Sequence, residues 1–255
     1  MQDRYAGDVG DFGKFALLNH ILQDTGFCLG VNWYKYPDEN HNNDGLHVDY
    51  LAKARFKAAD RELCGQLQRV LEAGRSIGLL ESSGVFPGNT TFVSASLDGH
   101  IRYPSQTHAD RDGRLMSRID WLAKSLDTLR GCDVVFLDPD NGLEISSCSK
   151  LSGVKSGKFA YYSEVADYAK LAKVCVVYHH LSRQGSHVSQ MISRANALKE
   201  MMGSSLTVTS LRYTPYSPRA YFILSQPEAT EVVKTRLARF TAGLHGGFWD
   251  SLTEC

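Results

Sequence analysis

Asp138, Asp140, Asn141 and Glu144 fall close together in the run Cys132–Glu144, which reads CDVVFLDPDNGLE. Carboxylate and amide oxygens at this density can orient an amine by accepting its hydrogens. They can equally ligate a hard cation such as magnesium or manganese, with Asp138, Asp140 and Glu144 as the ligands. The plain alternative is a strand-end turn capped by Asp and Asn. Three carboxylates repel one another, a cost that an ordinary turn gains nothing from.

Three further groups have chemical potential. Asp8, Asp11 and Lys14 lie in the glycine-containing stretch DRYAGDVGDFGK, residues 3–14. There a lysine can act as a point charge on a cofactor or phosphate, or Asp11 can simply cap a helix. His179, His180 and Arg183 follow an apolar run, where a histidine suits a general base or, with Arg183, a phosphate contact. Asp38, Glu39, His41, Asp44, His47 and Asp49 mix imidazole and carboxylate in a polar loop. The spacing of His41 and His47 matches no helix-face ligand pair, so a loop closing over a ligand is the better reading. Arg212, Tyr213, Tyr216 and Arg219 would suit stacking and phosphate contacts, or would guard a sheet edge.

These groups need elements to hold them. Val134–Leu137 is an unbroken apolar run that suits a strand buried on both faces. Pro139 and Gly142 then force a turn, which leaves the acids at the carboxyl edge of a central strand, where ligands bind in open α/β sheets. Further strands are expected at 27–34, 91–95 and 174–178, with an antiparallel hairpin at 206–212 and 220–225. Helices are expected at 12–24, 48–73, 111–130, 163–172, 188–202 and 228–240, with Asp11 capping the first. Residues 77–80 read as a short strand or as the end of the helix before them. Strands alternating with helices imply a mostly parallel, doubly wound sheet with helices on both faces and a C-terminal antiparallel hairpin. No repeat, low-complexity tract or linker interrupts the chain, so residues 1–255 read as one domain.

Composition narrows the classes. The 28 basic and 28 acidic residues cancel, so no global basic field announces a nucleic-acid partner, although a local patch is compatible with one. No apolar run is long enough to span a membrane, and the polar opening lacks the apolar segment of a secretory signal. The six cysteines form no C-x-x-C pair. Together these features imply a reducing, cytoplasmic setting without a structural zinc site.

The element order and two motifs carry a resemblance. Asp138-Pro139 resembles the start of the Asp/Asn-Pro-Pro-aromatic motif of amino-group methyltransferases. The G-D-F-G-K helix ahead of the first strand resembles the entry helix of ribosomal-RNA adenine-N6 methyltransferases and of three-Cys-motif partner proteins. The resemblance implies a Rossmann-like fold, S-adenosylmethionine as cofactor and an amino group, such as one of nucleic acid, as acceptor. It places Asp138, Pro139, Asp140, Asn141 and His179 in the catalytic set, and Lys14, Gly30, Asn32, Tyr34 and Asp44 around the cofactor. Two positions depart from the family pattern. Asn32-Trp33-Tyr34-Lys35 carries no glycine where the family has a Gly-rich turn, and Asp140 and Asn141 replace the second proline and the aromatic. A stacking aromatic would then come from Tyr34, Tyr36, Tyr161 or Tyr162. A metal-dependent phosphodiesterase or nuclease, and a non-catalytic protein keeping the scaffold, are the alternative readings.

Overall fold

Apolar runs alternating with helical stripes build an α/β sheet with helices on both faces. The strands are β1 (Leu29–Asn32), β2 (Thr91–Val93), β3 (Val134–Leu137), β4 (Gly142–Leu143), β5 (Phe159–Ala160), β6 (Val174–His180), β7 (Thr207–Tyr213), β8 (Arg219–Ser225) and β9 (Trp249–Leu252). The computed structural model describes residues 1–39 and 45–252. Seven strands form one sheet in the order β2-β1-β3-β6-β8-β7-β9, and β4 pairs with β5 apart from it. β2, β1, β3 and β6 run parallel, whereas β8, β7 and β9 join by antiparallel pairing.

The helices are α1 (Val9–Leu22), α2 (Ala54–Ala59), α3 (Arg61–Glu72), α4 (Ile77–Ser82), α5 (Gly99–Arg102), α6 (His108–Thr128), α7 (Tyr162–Leu171), α8 (His187–Met202) and α9 (Pro227–Ala242). Successive strand side chains point to opposite faces, and two cores result. Val134, Phe136, Val174 and Val176 pack with Phe12, Phe15, Leu67, Val233 and Phe240 from α1, α3 and α9. Val135, Leu137, Cys175 and Val177 pack with Trp121, Val165, Tyr168, Met191 and Leu198 from α6, α7 and α8. The parallel strands, covered on both sides, can therefore be apolar throughout.

Several elements differ from the sequence expectation. Asp8, not Asp11, caps α1, accepting from the amides of Gly10 and Asp11, so the helix starts at Val9. The stretch expected as one helix over 48–73 is broken. Asp60 takes an extended conformation and caps α3 by accepting from Leu63 N at 2.9 Å. Residues 77–80 lie in α4, capped by Ser76. β6 runs two residues past Tyr178, and β9 adds an edge strand in what reads as a tail. Among the described residues no helix is long and apolar enough to cross a membrane.

Candidate active site at the carboxyl edge of the sheet

Strand register brings the candidate residues to one edge. Asn32 pairs with Leu137 and Leu137 with Val177, so β1, β3 and β6 reach the same level before the chain emerges as Trp33, Asp138 and Tyr178. From β1 the chain proceeds to β2 on one side and β3 on the other. The strand order therefore reverses between β1 and β3, the crevice in which open α/β sheets bind ligands.

In this structure the α-ammonium of Met1 occupies that crevice. It donates to the carbonyls of Trp33 (2.9 Å), Tyr34 (3.2 Å) and Asp138 (3.0 Å) and lies 3.1 Å from Asp140 Oδ1. Gln2 Nε2 donates to Asp140 Oδ2 at 2.5 Å. Three carbonyls and a carboxylate thus form a cradle for a primary ammonium, the strong charge-assisted kind of hydrogen bonding.

Beside the cradle, Lys14 reaches from α1 to the end of β3. Its Nζ lies 2.7 Å from Asp138 Oδ2 and 2.9 Å from Asp11 Oδ1, and all three side chains are buried. Burial opposes the lysine's charge, but the Asp11 and Asp138 carboxylates more than offset it and raise its pKa well above the usual value. Burial pushes Asp11 up to about 6, against the opposing pull of Lys14. Asp11 also accepts from Gly7 N at 2.7 Å, which fixes the turn leading into the helix. A second pair, Arg219 with Asp8 at 3.3 Å, ties the last hairpin to the start of α1. Gly10 makes room for it, because a Cβ there would stand 2.8 Å from Arg219 Nε.

A cleft of about 540 Å³ opens against these pairs, within the size range of small-molecule and cofactor sites. Lys14 and Asp138, Pro139, Asp140 and Asn141 form one wall. Tyr178, His180, Arg183, His187, Tyr216 and Arg219 form much of the rest, with His47 at the mouth. Asn141 is exposed, whereas Asp138 is 2% exposed and committed to Lys14.

Other expected site residues lie elsewhere. Gly30 sits within β1 against Leu129 and Cys132. Asn32 is buried, donating to the Tyr168 hydroxyl at 2.7 Å and accepting from Tyr34 N at 3.0 Å. Tyr34 has a positive φ of 45° and turns into the opposite core, where its hydroxyl donates to Glu164 at 3.2 Å and its ring packs on Trp121. Glu164 is held by Arg118 at 2.5 Å, a buried strut under the end of β1. His179 also points away from the cleft. Its Nδ1 accepts from Leu143 N at 3.0 Å, and burial, aided by Arg194 and His180, lowers its pKa to about 3. Gly142 allows that contact. It has a φ of 90°, and a Cβ there would stand 2.4 Å from His179 Cα.

Glu144 turns toward α7, where it accepts from Tyr162 N at 3.0 Å. Asp138, Asp140 and Glu144 therefore face three different partners. Among the described residues no group of three or more His, Cys, Asp or Glu side chains could hold a metal ion. Of the suggested stacking aromatics, Tyr36 stacks on His100, Tyr161 lies under Arg118, and Tyr162 bonds Arg194. None of them lines the cleft, whereas Tyr178 and Tyr216 do. His41 and Asp44 fall outside the described residues.

Met1 and Gln2 emerge as site residues only in three dimensions. The contact of Met1 with Asp138 spans 137 positions, and no local pattern encodes it. Comparison with known proteins finds no matching family model and no matching curated relative.

Proposed function

We propose that the protein is an S-adenosylmethionine-dependent enzyme of methyltransferase type that acts on an amino group. The observation that carries this reading is the ammonium cradle at the β1–β3 reversal point, directly beside the open cleft walled by residues 138–141. The parallel sheet ending in antiparallel strands supports it as well.

The donor set fits the amino-acid end of the cofactor. The carbonyls of Trp33, Tyr34 and Asp138, with the Asp140 carboxylate, supply the acceptors that an α-ammonium needs. When bound, S-adenosylmethionine supplies a methyl group on a positively charged sulfur. The rest falls to the chain. Lys14 fixes Asp138 and with it the start of the turn. Pro139 holds that turn rigid. Asn141, exposed on the cleft wall, offers an amide oxygen to an acceptor amine. His180, which also lines the cleft, is assigned the proton the amine releases. His179, buried and hydrogen-bonded to Leu143, is not assigned that role.

Because Met1 occupies the same acceptors, cofactor and Met1 compete for the cradle on this reading. Transfer of labelled methyl from S-adenosylmethionine to single-stranded nucleic acid tests the reaction. Incorporation that falls at least tenfold in Asn141→Ala supports it. Absence of incorporation and of cofactor binding would leave a scaffold without this chemistry.

A further inference from the structure

The charges of the cleft divide into two classes. Those on its floor are matched: Asp138 with Lys14, Asp8 with Arg219, and Asp140 with an ammonium. Those on its rim are cationic or imidazole groups, among them exposed Arg183 and His47 and partly buried His187. Arg183 enters no ion pair among the described residues. A guanidinium left unpaired at the mouth of a cleft, with its fork of donors, suits a phosphate.

The same cleft is lined by an aromatic held in an unusual way. Tyr216, at the tip between β7 and β8, has a φ of 62°, a region that a bulky residue rarely enters. Pro215 and Pro218 flank it in the sequence. Its hydroxyl donates to Asp49 Oδ1 at 2.7 Å and accepts from Lys53 Nζ at 2.5 Å, so the ring is anchored at its far end. The His47 ring lies 5.0 Å away, tilted by 45°. Glycine would adopt this backbone without strain. Strain that persists at a cleft points toward function.

We propose that the mouth of this cleft binds a nucleotide unit, its base against Tyr216 and its phosphate on Arg183. The inference rests on the cleft assigned above and names the class of substrate that carries the amine. A base with an exocyclic amine stacked on Tyr216 would enter the same cleft that Asn141 lines. A free nucleotide and a nucleotide within a strand present the same chemistry here.

The test is a set of binding titrations with deoxycytidine monophosphate, deoxycytidine and the single strand (dC)8, chosen because cytosine does not mimic the adenosine of the cofactor. The monophosphate is expected to bind about tenfold or more tightly than the nucleoside, and Arg183→Ala is expected to erase that difference. Tyr216→Gly should weaken monophosphate binding about tenfold or more. The glycine relieves the backbone but gives up the ring's packing and both hydroxyl hydrogen bonds, so binding is read at a temperature where the variant is folded by circular dichroism. Tyr216→Phe, which keeps the ring, should bind within about threefold of the unaltered protein. Tighter binding of (dC)8 than of the monophosphate identifies a strand as the source, and equal binding identifies a free nucleotide; either supports the proposal. No saturable binding of the monophosphate or of (dC)8 overturns it, as do unchanged affinities in both Arg183→Ala and Tyr216→Gly. A titration of S-adenosylmethionine on the same proteins separates the two readings. Cofactor binding without nucleotide binding defeats this inference alone, and nucleotide binding without cofactor binding defeats the methyltransferase reading alone.

Discussion

Lys14 Nζ lies 2.7 Å from Asp138 Oδ2, joining the first helix to the end of the central strand. Removing the cation leaves two carboxylates, Asp11 and Asp138, buried and unmatched. Breaking a buried pair from one side is strongly destabilising. Lys14→Ala is therefore expected to lose about 3–5 kcal/mol in urea unfolding. Lys14→Met combined with Asp138→Asn and Asp11→Asn should recover a substantial part, because no charge is then stranded. A single Lys14→Ala variant as stable as the parent protein would show that the pair holds nothing together.

His179 gives the fold a sensitivity to acid. Burial, then Arg194 and His180, lower its pKa from the ordinary 6.5 to about 3. Between those values the unfolded chain takes up a proton that the folded chain refuses, so stability falls as pH drops from 6.5 toward 3. Protonation would also take the Nδ1 lone pair that accepts from Leu143 N. His179→Asn places a carbonyl oxygen near that acceptor position and cannot titrate. Its stability is expected to decline less than the parent's over this window, by a margin on the order of a few kcal/mol at pH 4. Parallel stability–pH curves for the two proteins would contradict the assignment.

Asp11 works in the opposite direction. Burial raises its carboxyl from 3.8 to about 6, with Lys14 pulling the other way. The folded state thus holds a proton that the unfolded state has lost, and this contribution to stability fades as pH rises from about 4 to 6. Asp11→Asn should remove that slope, read from denaturant midpoints at stepped pH. A slope that survives the substitution would place its origin elsewhere.

Gly142 is the tightest position at the site. Its φ of 90° and the 2.4 Å approach of a would-be Cβ to His179 Cα leave no room for a side chain. Gly142→Ala is expected to cost about 2 kcal/mol or more, combining backbone strain with displacement of β6. A loss below about 0.5 kcal/mol in chemical denaturation would mean that the turn relaxes freely.

Much of this fold is legible in the sequence, for identifiable reasons. Val134–Leu137 is apolar at every position because helices cover both of its faces, and Pro139 and Gly142 mark where it stops. The last hairpin is likewise readable from two β-rich runs around a proline-containing turn. Side-chain direction is what the sequence conceals. His179 and His180 are adjacent, but β6 continues through both, so they point to opposite faces and only His180 meets the cleft. Trp33 and Tyr34 likewise enter different cores, continuing the alternation of β1 beyond its end. Asp8 and Asp11 are both reasonable caps by spacing. The choice falls to Asp8 because Asp11 is drawn inward by Lys14 and Gly7.

Calorimetric titration of the full chain with S-adenosylmethionine, beside an Asp140→Asn variant, tests the central claim most directly. The cradle predicts saturable one-site binding by the parent protein. Loss of the carboxylate facing the ammonium should weaken it about tenfold or more. No saturable heat from the parent protein, or equal affinity in the variant, would contradict the cradle as the cofactor's seat.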